Sequence, residues 1–412
     1  MSLLDRLKAQ IAQDGPISLA EYFTRCLHDP HDGYYATRPD LGAGGDFITA
    51  PLVSQMFGEL IGLWAVETWT RMGRPSSFRL VELGPGDGTL ISDLLRAARL
   101  APDFLAAAEL WLVEVSPPLR ALQAERLAGA PLPPRWADRL EAVPSGAPIL
   151  LVANEVLDCL PARQFVRKET GWAERVIGLA EAGNLAFGLR SLNPLPSGRA
   201  GRAAHTAVIP DKRSADPGPT EVLSSGVGPG SVRDALVRDD SRFPAGDEGI
   251  PQWRDDHPPG TLLESSPAQA ALGTEIGHRV ATDGGAALLI DYGRDTAGPG
   301  DTLQAVQGHR KVDPLESPGQ ADLTVWADFP AVLAAGVEAG AKAGPILQQA
   351  TFLARLGIEA RAEALAAARP DRADVIARQL DRLTGEAQMG HLFKVVCLSA
   401  PGLSPPLFED AT

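Results

Sequence analysis

The chain has 412 residues, 44% of them hydrophobic, with a formal net charge of −14 and a pI near 5.0. That length suits one large or two ordinary globular domains with a sizeable core. The acidic balance argues against nucleic acid as the main partner, because phosphate binding rests on a basic field. Cys26, Cys159 and Cys397 are far apart and odd in number, so they give neither a disulfide framework nor a zinc spacing. They point to a reducing compartment and to no metal. No apolar run reaches the length needed to span a bilayer. The first residues, Met1-Ser2-Leu3-Leu4-Asp5-Arg6, lack a signal-peptide core. The simplest expectation is a bacterial cytoplasmic protein, or one of the mitochondrial matrix if the source is eukaryotic.

In chain order, Leu3, Leu4, Leu7 and Ile11 form a helical stripe that Pro16 breaks. Ser18-Leu19-Ala20-Glu21 reads as a capping box for a second helix through about Leu27. A turn at 29–33 and a glycine-rich loop at 42–51 follow, and Pro51 opens a long helix to about Met72. This N-terminal part, 1–76, is expected either to lie over a ligand as a lid or only to pack as a helical cap. The core, 77–162 and 284–400, begins with the strand from Phe78. Later strands are expected at Leu110–Val115, weakly at Arg139–Val143, and clearly at Ile149–Ala153 and Ala286–Asp291. Between the two core parts, 163–283 reads as an insertion. It holds a hairpin about Glu169-Thr170-Gly171, then a Pro-, Gly- and Ser-rich stretch, disordered over about 200–250, then a helix from Pro267. Asp328 with Pro330 starts another helix, alanine-rich helices fill about 343–384, and Leu392–Cys397 is the last strand. The fold class implied is α/β: a doubly wound seven-strand sheet with an N-terminal helical cap and an inserted antiparallel and irregular region.

The chemistry concentrates at strand ends. Val81-Glu82-Leu83-Gly84-Pro85-Gly86-Asp87-Gly88-Thr89-Leu90 reads as strand, glycine turn and helix. The spacing is G-x-G-x-G with Glu82 before it. A dinucleotide fingerprint would set its third glycine at 89, which is Thr89. Asp87 at the helix start would also repel a pyrophosphate. The pattern resembles the first motif of S-adenosylmethionine (SAM) methyltransferases, with Glu82, Gly84, Pro85, Gly86, Asp87 and Gly88 at the cofactor. A ligand-free turn and an NAD site are the competing readings. Glu114, ending the second strand, is placed to accept ribose hydroxyls; a surface glutamate is the bland alternative. The fourth strand ends in Asn154-Glu155, with Asp158 after it, and Asp291 ends the next. Asn154 is assigned to the cofactor. His28, His31 and His391 are read as structural rather than as bases.

Several stretches together resemble the MidA-type methyltransferases, the family that includes the mitochondrial assembly factor of respiratory complex I. They are Cys26-Leu27-His28-Asp29-Pro30 with Gly33-Tyr34-Tyr35, and Gly45-Asp46-Phe47-Ile48-Thr49 with Phe57-Gly58-Glu59. They continue through the glycine motif, Asn154-Glu155-Val156-Leu157-Asp158 with Leu160-Pro161, and Asp291-Tyr292-Gly293. Gly319-Gln320-Ala321-Asp322-Leu323-Thr324 with Asp328-Phe329, and Gly390-His391-Leu392-Phe393-Lys394-Val395, complete the set. The likeness covers nearly the whole chain except about 200–250. It implies a SAM-dependent protein arginine N-methyltransferase. For eukaryotic members it implies symmetric dimethylation of an arginine in a quinone-side subunit of complex I, and for a bacterial relative the equivalent subunit. Thr324-Val325-Trp326-Ala327 departs from the family pattern, which touches the substrate groove.

On this reading Glu155, Asp158 and Asp291 are the catalytic candidates, since carboxylates can orient a guanidinium bidentately and offset its charge. Asp46 and Asp322 are the substrate-binding candidates. Two other readings remain open. One is a small-molecule or nucleic-acid methyltransferase with the same cofactor, and the other a SAM-binding assembly chaperone without catalysis. Oligomeric state is not legible.

Overall fold

In the computed structural model, residues 1–37, 49–192 and 257–409 are described. The expected irregular stretch over 200–250 and Asp46 lie outside the described residues.

Helix α1 (Leu3–Asp14) starts with Ser2 and Asp5 capping each other's backbone, a box not anticipated above. In α2 (Leu19–His28) only half of the expected box forms. The Ser18 hydroxyl accepts from Glu21 N, whereas the Glu21 carboxylate takes the Gln10 amide at 2.7 Å. The expected long helix is divided. A single turn, Ala50–Val53, ends at the extended Ser54, whose hydroxyl then caps α3 (Gln55–Arg71). The core follows as β1 (Phe78–Leu83), α4 (Thr89–Ala98), β2 (Ala108–Val113), α5 (Pro117–Arg126), β3 (Arg135–Ala137) and β4 (Ile149–Asn154). The third strand is therefore earlier than the weak candidate at Arg139–Val143, where Leu140–Ala142 forms a 3₁₀ turn instead. Next come β5 (Arg163–Lys168), β6 (Gly171–Leu179), β7 (Leu185–Ser191) and β8 (Leu262–Ser265), then α6 (Pro267–Asp283) and β9 (Gly285–Arg294). After β10 (Gln304–Gln307) and β11 (Asp322–Thr324), Asp328 caps α7 (Phe329–Glu338) as expected, accepting from Ala331 N at 3.1 Å. The short β12 (Lys342–Ala343), further helices and β13 (Phe393–Ser399) close the sequence of elements.

The central sheet runs β3-β2-β1-β4-β9-β13-β12. Its strands are parallel from β3 to β9, and β13 lies antiparallel to β9. All six residues of β4 are buried, which is why its first five, Ile149–Ala153, read as one unbroken apolar run. Alternate residues feed two cores. Leu150 and Val152 face α3 and α4, while Leu151 and Ala153 face α6 and α7. Helices α6 and α7 approach closely because a Cβ at Gly277 would lie 2.4 Å from Gly336 O. The order reverses between β1 and β4, so the switch point of the fold opens at their carboxyl ends. Leu83 pairs with Ala153, and Ile290 with Asn154. That register sets Gly84 beside Asn154, and Asp291 beside Glu155.

A second, antiparallel sheet is formed by β5 to β8, with Ile17–Ser18 paired to β6. Leu3, Leu7, Tyr22 and Phe23 pack there with Ile177, Ala305 and Leu323. Buried Glu264 ties this sheet to the core. It accepts from Gln164 Nε2 at 2.8 Å, Thr302 N at 3.0 Å, Thr302 Oγ1 at 2.6 Å and Arg294 Nη2 at 3.0 Å. Those four donors are what a buried carboxylate requires.

Candidate active site

A cleft opens at the switch point. It is lined by Thr49, Pro51 and Leu52 from the N-terminal segment, by Glu82, Gly84, Pro85, Gly86, Asp87, Thr89 and Leu90, and by Asn154. Gly84, Gly86 and Gly88 have φ of 64°, 55° and 83°, a region that side chains disfavour, so the turn needs glycine for its shape. A Cβ on Gly86 would meet nothing within 4 Å; it would project into the cleft. Gly88 instead precedes α4 as its cap residue and does not line the cleft. Asp87 is engaged locally, accepting from Thr89 N at 2.9 Å and pairing with Arg126 at 2.8 Å.

The cleft is rich in acceptors. Glu82 Oε2 and Asn154 Oδ1 in its lining, and Glu155 Oε2 just outside it, are buried and have no hydrogen-bond partner among the described residues. Burial, and then Asp87, push the Glu82 carboxyl up to about 8. Such a ring calls for a ligand with N–H donors and positive charge. A SAM molecule, with its ammonium and sulfonium, fits it, and a pyrophosphate does not. Glu114 does not line the cleft. It is buried behind the glycine turn, where Oε1 accepts from Ser116 N at 2.8 Å and Oε2 receives a long 3.4 Å contact from Gln123 Nε2. Burial pushes it up to about 7, against the pull of those donors.

Beside the cleft lies a cluster of carboxylates. Glu155 follows the last residue of β4 with φ of 54°, a strained position for a residue with a side chain. Its Oε1 receives Asn154 Nδ2 at 3.0 Å and Ala50 N at 3.4 Å. Burial, and then the charge of Asp158, push it up to about 8. Asp291 stands behind the loop. Its Oδ2 accepts from Leu157 N at 2.8 Å and Asp158 N at 3.1 Å, and its Oδ1 from Tyr292 N at 2.8 Å. Burial raises Asp291 well above the ordinary carboxylate range, and Asp158 and Glu155 add to the shift. The Tyr292 hydroxyl is in hydrogen-bond contact with the side chains of Asp158 and Thr324. Asp322 lies at the start of β11, accepting from Tyr35 Oη at 2.9 Å.

The structure thus gathers Glu82, Gly84, Pro85, Gly86, Asp87 and Asn154 at one cleft and sets Glu155, Asp158 and Asp291 next to it. Sequence reasoning missed Thr49 and Leu52 as cleft residues, and read Pro51 only as a helix start. It also missed Gln123, whose amide bridges Gly86 O at 2.8 Å and Trp136 Nε1 at 2.8 Å. The one available signal was its position on the helix that follows Glu114.

The chain is similar to known proteins over most of its length. A family model described as "Putative S-adenosyl-L-methionine-dependent methyltransferase" matches residues 60–346. The chain is 33% identical over 418 residues to the mitochondrial protein arginine methyltransferase NDUFAF7 of Danio rerio, covering 95% of this chain and 86% of that protein. Against the Homo sapiens protein of the same name it is 31% identical over 421 residues, covering 96% and 83%. Its structure is similar to that of a COG1565 superfamily member from Burkholderia thailandensis bound to S-adenosyl-homocysteine, with a TM-score of 0.71 and 28% identity, covering 96% of this chain and 91% of that one. With a family model matched over residues 60–346 and relatives covered over most of their length, the chain belongs to this family of SAM-dependent methyltransferases.

Proposed function

We propose that the protein transfers methyl groups from SAM to an arginine side chain of a protein substrate, with Glu155 and Asp158 facing the guanidinium and Asp291 positioning the loop that carries them. The observation that carries this reading is the carboxylate cluster beside the cofactor cleft. Asp158 raises the proton affinity of Glu155, and both raise that of Asp291; a cation is the ligand that relieves such crowding. The names of the sequence relatives support arginine as that cation. A recess of about 590 Å³ at the end of β9, bordered by Arg294, Asp301, Trp326 and Lys394, leaves room for a polypeptide at the same sheet edge. A quinone-side subunit of complex I, or its bacterial equivalent, is the first substrate to test. The expected setting is the bacterial cytoplasm, in keeping with three buried cysteines that form no disulfide among the described residues.

Bound SAM supplies an electrophilic methyl carbon. The protein's part is to bind, orient and discharge. Carboxylates at Glu155 and Asp158 hold the planar guanidinium in one orientation, so that attack is unimolecular once both partners are seated. Replacing an N–H by N–CH₃ releases one proton, and Glu155 is suited to hold it because its affinity for protons lies near neutrality.

The test is transfer of labelled methyl from SAM into a lysate of a strain lacking the gene, followed by hydrolysis to amino acids. Methylated arginine in a discrete protein band is expected. Gly86→Val, which sets a branched side chain into the cleft, is the blank and should abolish SAM binding. Label in nucleic acid or in a small metabolite would replace this reading with another substrate class. SAM binding without transfer to unassembled substrate would favour a chaperone.

A further inference from the structure

The sequence motifs leave α5 without a role, yet its polar face touches the glycine turn, the end of β2 and the residues of and just after β3. Arg120, Gln123 and Arg126 are three residues apart and share that face. Arg120 Nε donates to Glu114 O at 2.7 Å, and its Nη2 pairs with Asp138 at 2.5 Å. Arg126 donates to Thr89 Oγ1 at 2.5 Å and to Asp87 Oδ2 at 2.8 Å. Gln123, fully buried between them, reaches three elements. Its Oε1 accepts the Trp136 indole N–H from β3; its Nε2 donates to Gly86 O in the glycine turn and reaches Glu114 Oε2 at the end of β2. The amide has only one way round. Indole N–H is a donor and nothing else, so it fixes Oε1 and leaves the NH₂ for the carbonyl and the carboxylate.

We propose that α5 is the positioning element of the cofactor site, and that Gln123 is its central residue, fixing the glycine turn and the Glu114 carboxylate in the arrangement that receives the SAM ribose. This rests on reading Glu114 as the ribose acceptor; its carboxylate is fully buried and outside the cleft lining, so that reading requires the ribose to open a way to it. A carboxylate has about four acceptor sites. Ser116 N occupies one, and the long contact from Gln123 steers the second oxygen without saturating it. Packing alone does not account for the residue. Leu119 and Gln123 are the only buried residues of α5, and an aliphatic side chain would fill the place of Gln123 without the cost of burying an amide. The stem of the same residue backs Gly88, where a Cβ would sit 3.5 Å from Gln123 Cα and Cγ.

The experiment is calorimetric titration of the full chain with S-adenosylhomocysteine between about pH 6 and about pH 9. Burial puts Glu114 near 7 and Glu82 near 8, so affinity should fall in two steps as pH drops. The charged groups around Glu114 are Arg120 with Asp138 and Arg126 with Asp87, each paired, and the variants leave them in place. Gln123→Met keeps the volume and removes the amide. Expected are a loss of affinity of about 10- to 100-fold and a shift of the lower step to higher pH, because Glu114 loses a donor that favours its charged form. Glu114→Gln should lose affinity and the lower step together. Affinity within about twofold of the parent at every pH for Gln123→Met, or a loss by one factor at all pH, would overturn the positioning role while Glu114→Gln still fails to bind. If Glu114→Gln binds like the parent, the ribose reading falls and takes this inference with it. Should Gln123→Met not fold, Trp136→Phe frees Gln123 Oε1 and should move the lower step in the same direction; no movement would count against the proposal.

Discussion

Glu155 combines a strained backbone, a buried carboxyl and a place at the end of the strand next to the cofactor turn. Its proton affinity has a visible kinetic consequence. With its carboxyl near 8, most of the free enzyme carries Glu155 protonated at neutral pH, and orientation of a guanidinium needs the charged form. Methyl transfer should therefore rise with pH through about 8 in the parent. Glu155→Gln should lower transfer by about 10²- to 10³-fold, flatten that rise and leave S-adenosylhomocysteine affinity nearly unchanged; a rate profile with parallel calorimetry measures all three. The glycine turn, Asn154, Glu155 and Asp291 were legible in the sequence because each ends an apolar run, and strand ends converge in this class of fold. What each side chain touches was not legible. Asp291 spends its oxygens on the Leu157, Asp158 and Tyr292 amides, and Gln123 gains its role only when α5 folds over the turn.

At the level of elements, long apolar strands were readable and short ones were not. β3 has three residues, Arg135-Trp136-Ala137, too few to show a period, whereas Arg139–Val143 looked more apolar and forms a turn. The break at Ser54 was hidden because Pro51 and the following apolar stripe are each compatible with one continuous helix. The α6–α7 contact shows how packing constrains sequence without any motif. Gly277→Val would force backbone apart at Gly336 and should destabilise the protein by about 1–3 kcal/mol. Because that contact lies on the face away from α3 and α4, the variant should bind S-adenosylhomocysteine as the parent does once folded. Urea titration with calorimetry on the same samples checks both expectations.

Across the whole molecule, buried acids set a stability profile. Glu82 and Glu155 near 8 and Glu114 near 7 all lie above their unfolded values, so the folded state holds protons that the unfolded chain releases. Their stabilising contribution is complete below the unfolded carboxylate range and is lost as pH rises through about 7 and about 8. The ligand-free protein should melt at lower temperature at pH 8.5 than at pH 6, roughly by several degrees, in differential scanning calorimetry. An unchanged or higher melting temperature would contradict those burial shifts.

The strand order has a further consequence, for biosynthesis. β13 is not an edge strand but sits between β9 and β12, and Trp64 of α3 donates to Pro406 O at 3.1 Å. A nascent chain can assemble β1 to β4 and the glycine turn early. It must then hold the long β9, with its free row of backbone groups, unpaired on one side until residues 393–399 leave the ribosome. The interval between those two moments is when the protein is most exposed to chaperones and to misassociation, and it is longest for the half of the sheet that carries Asp291.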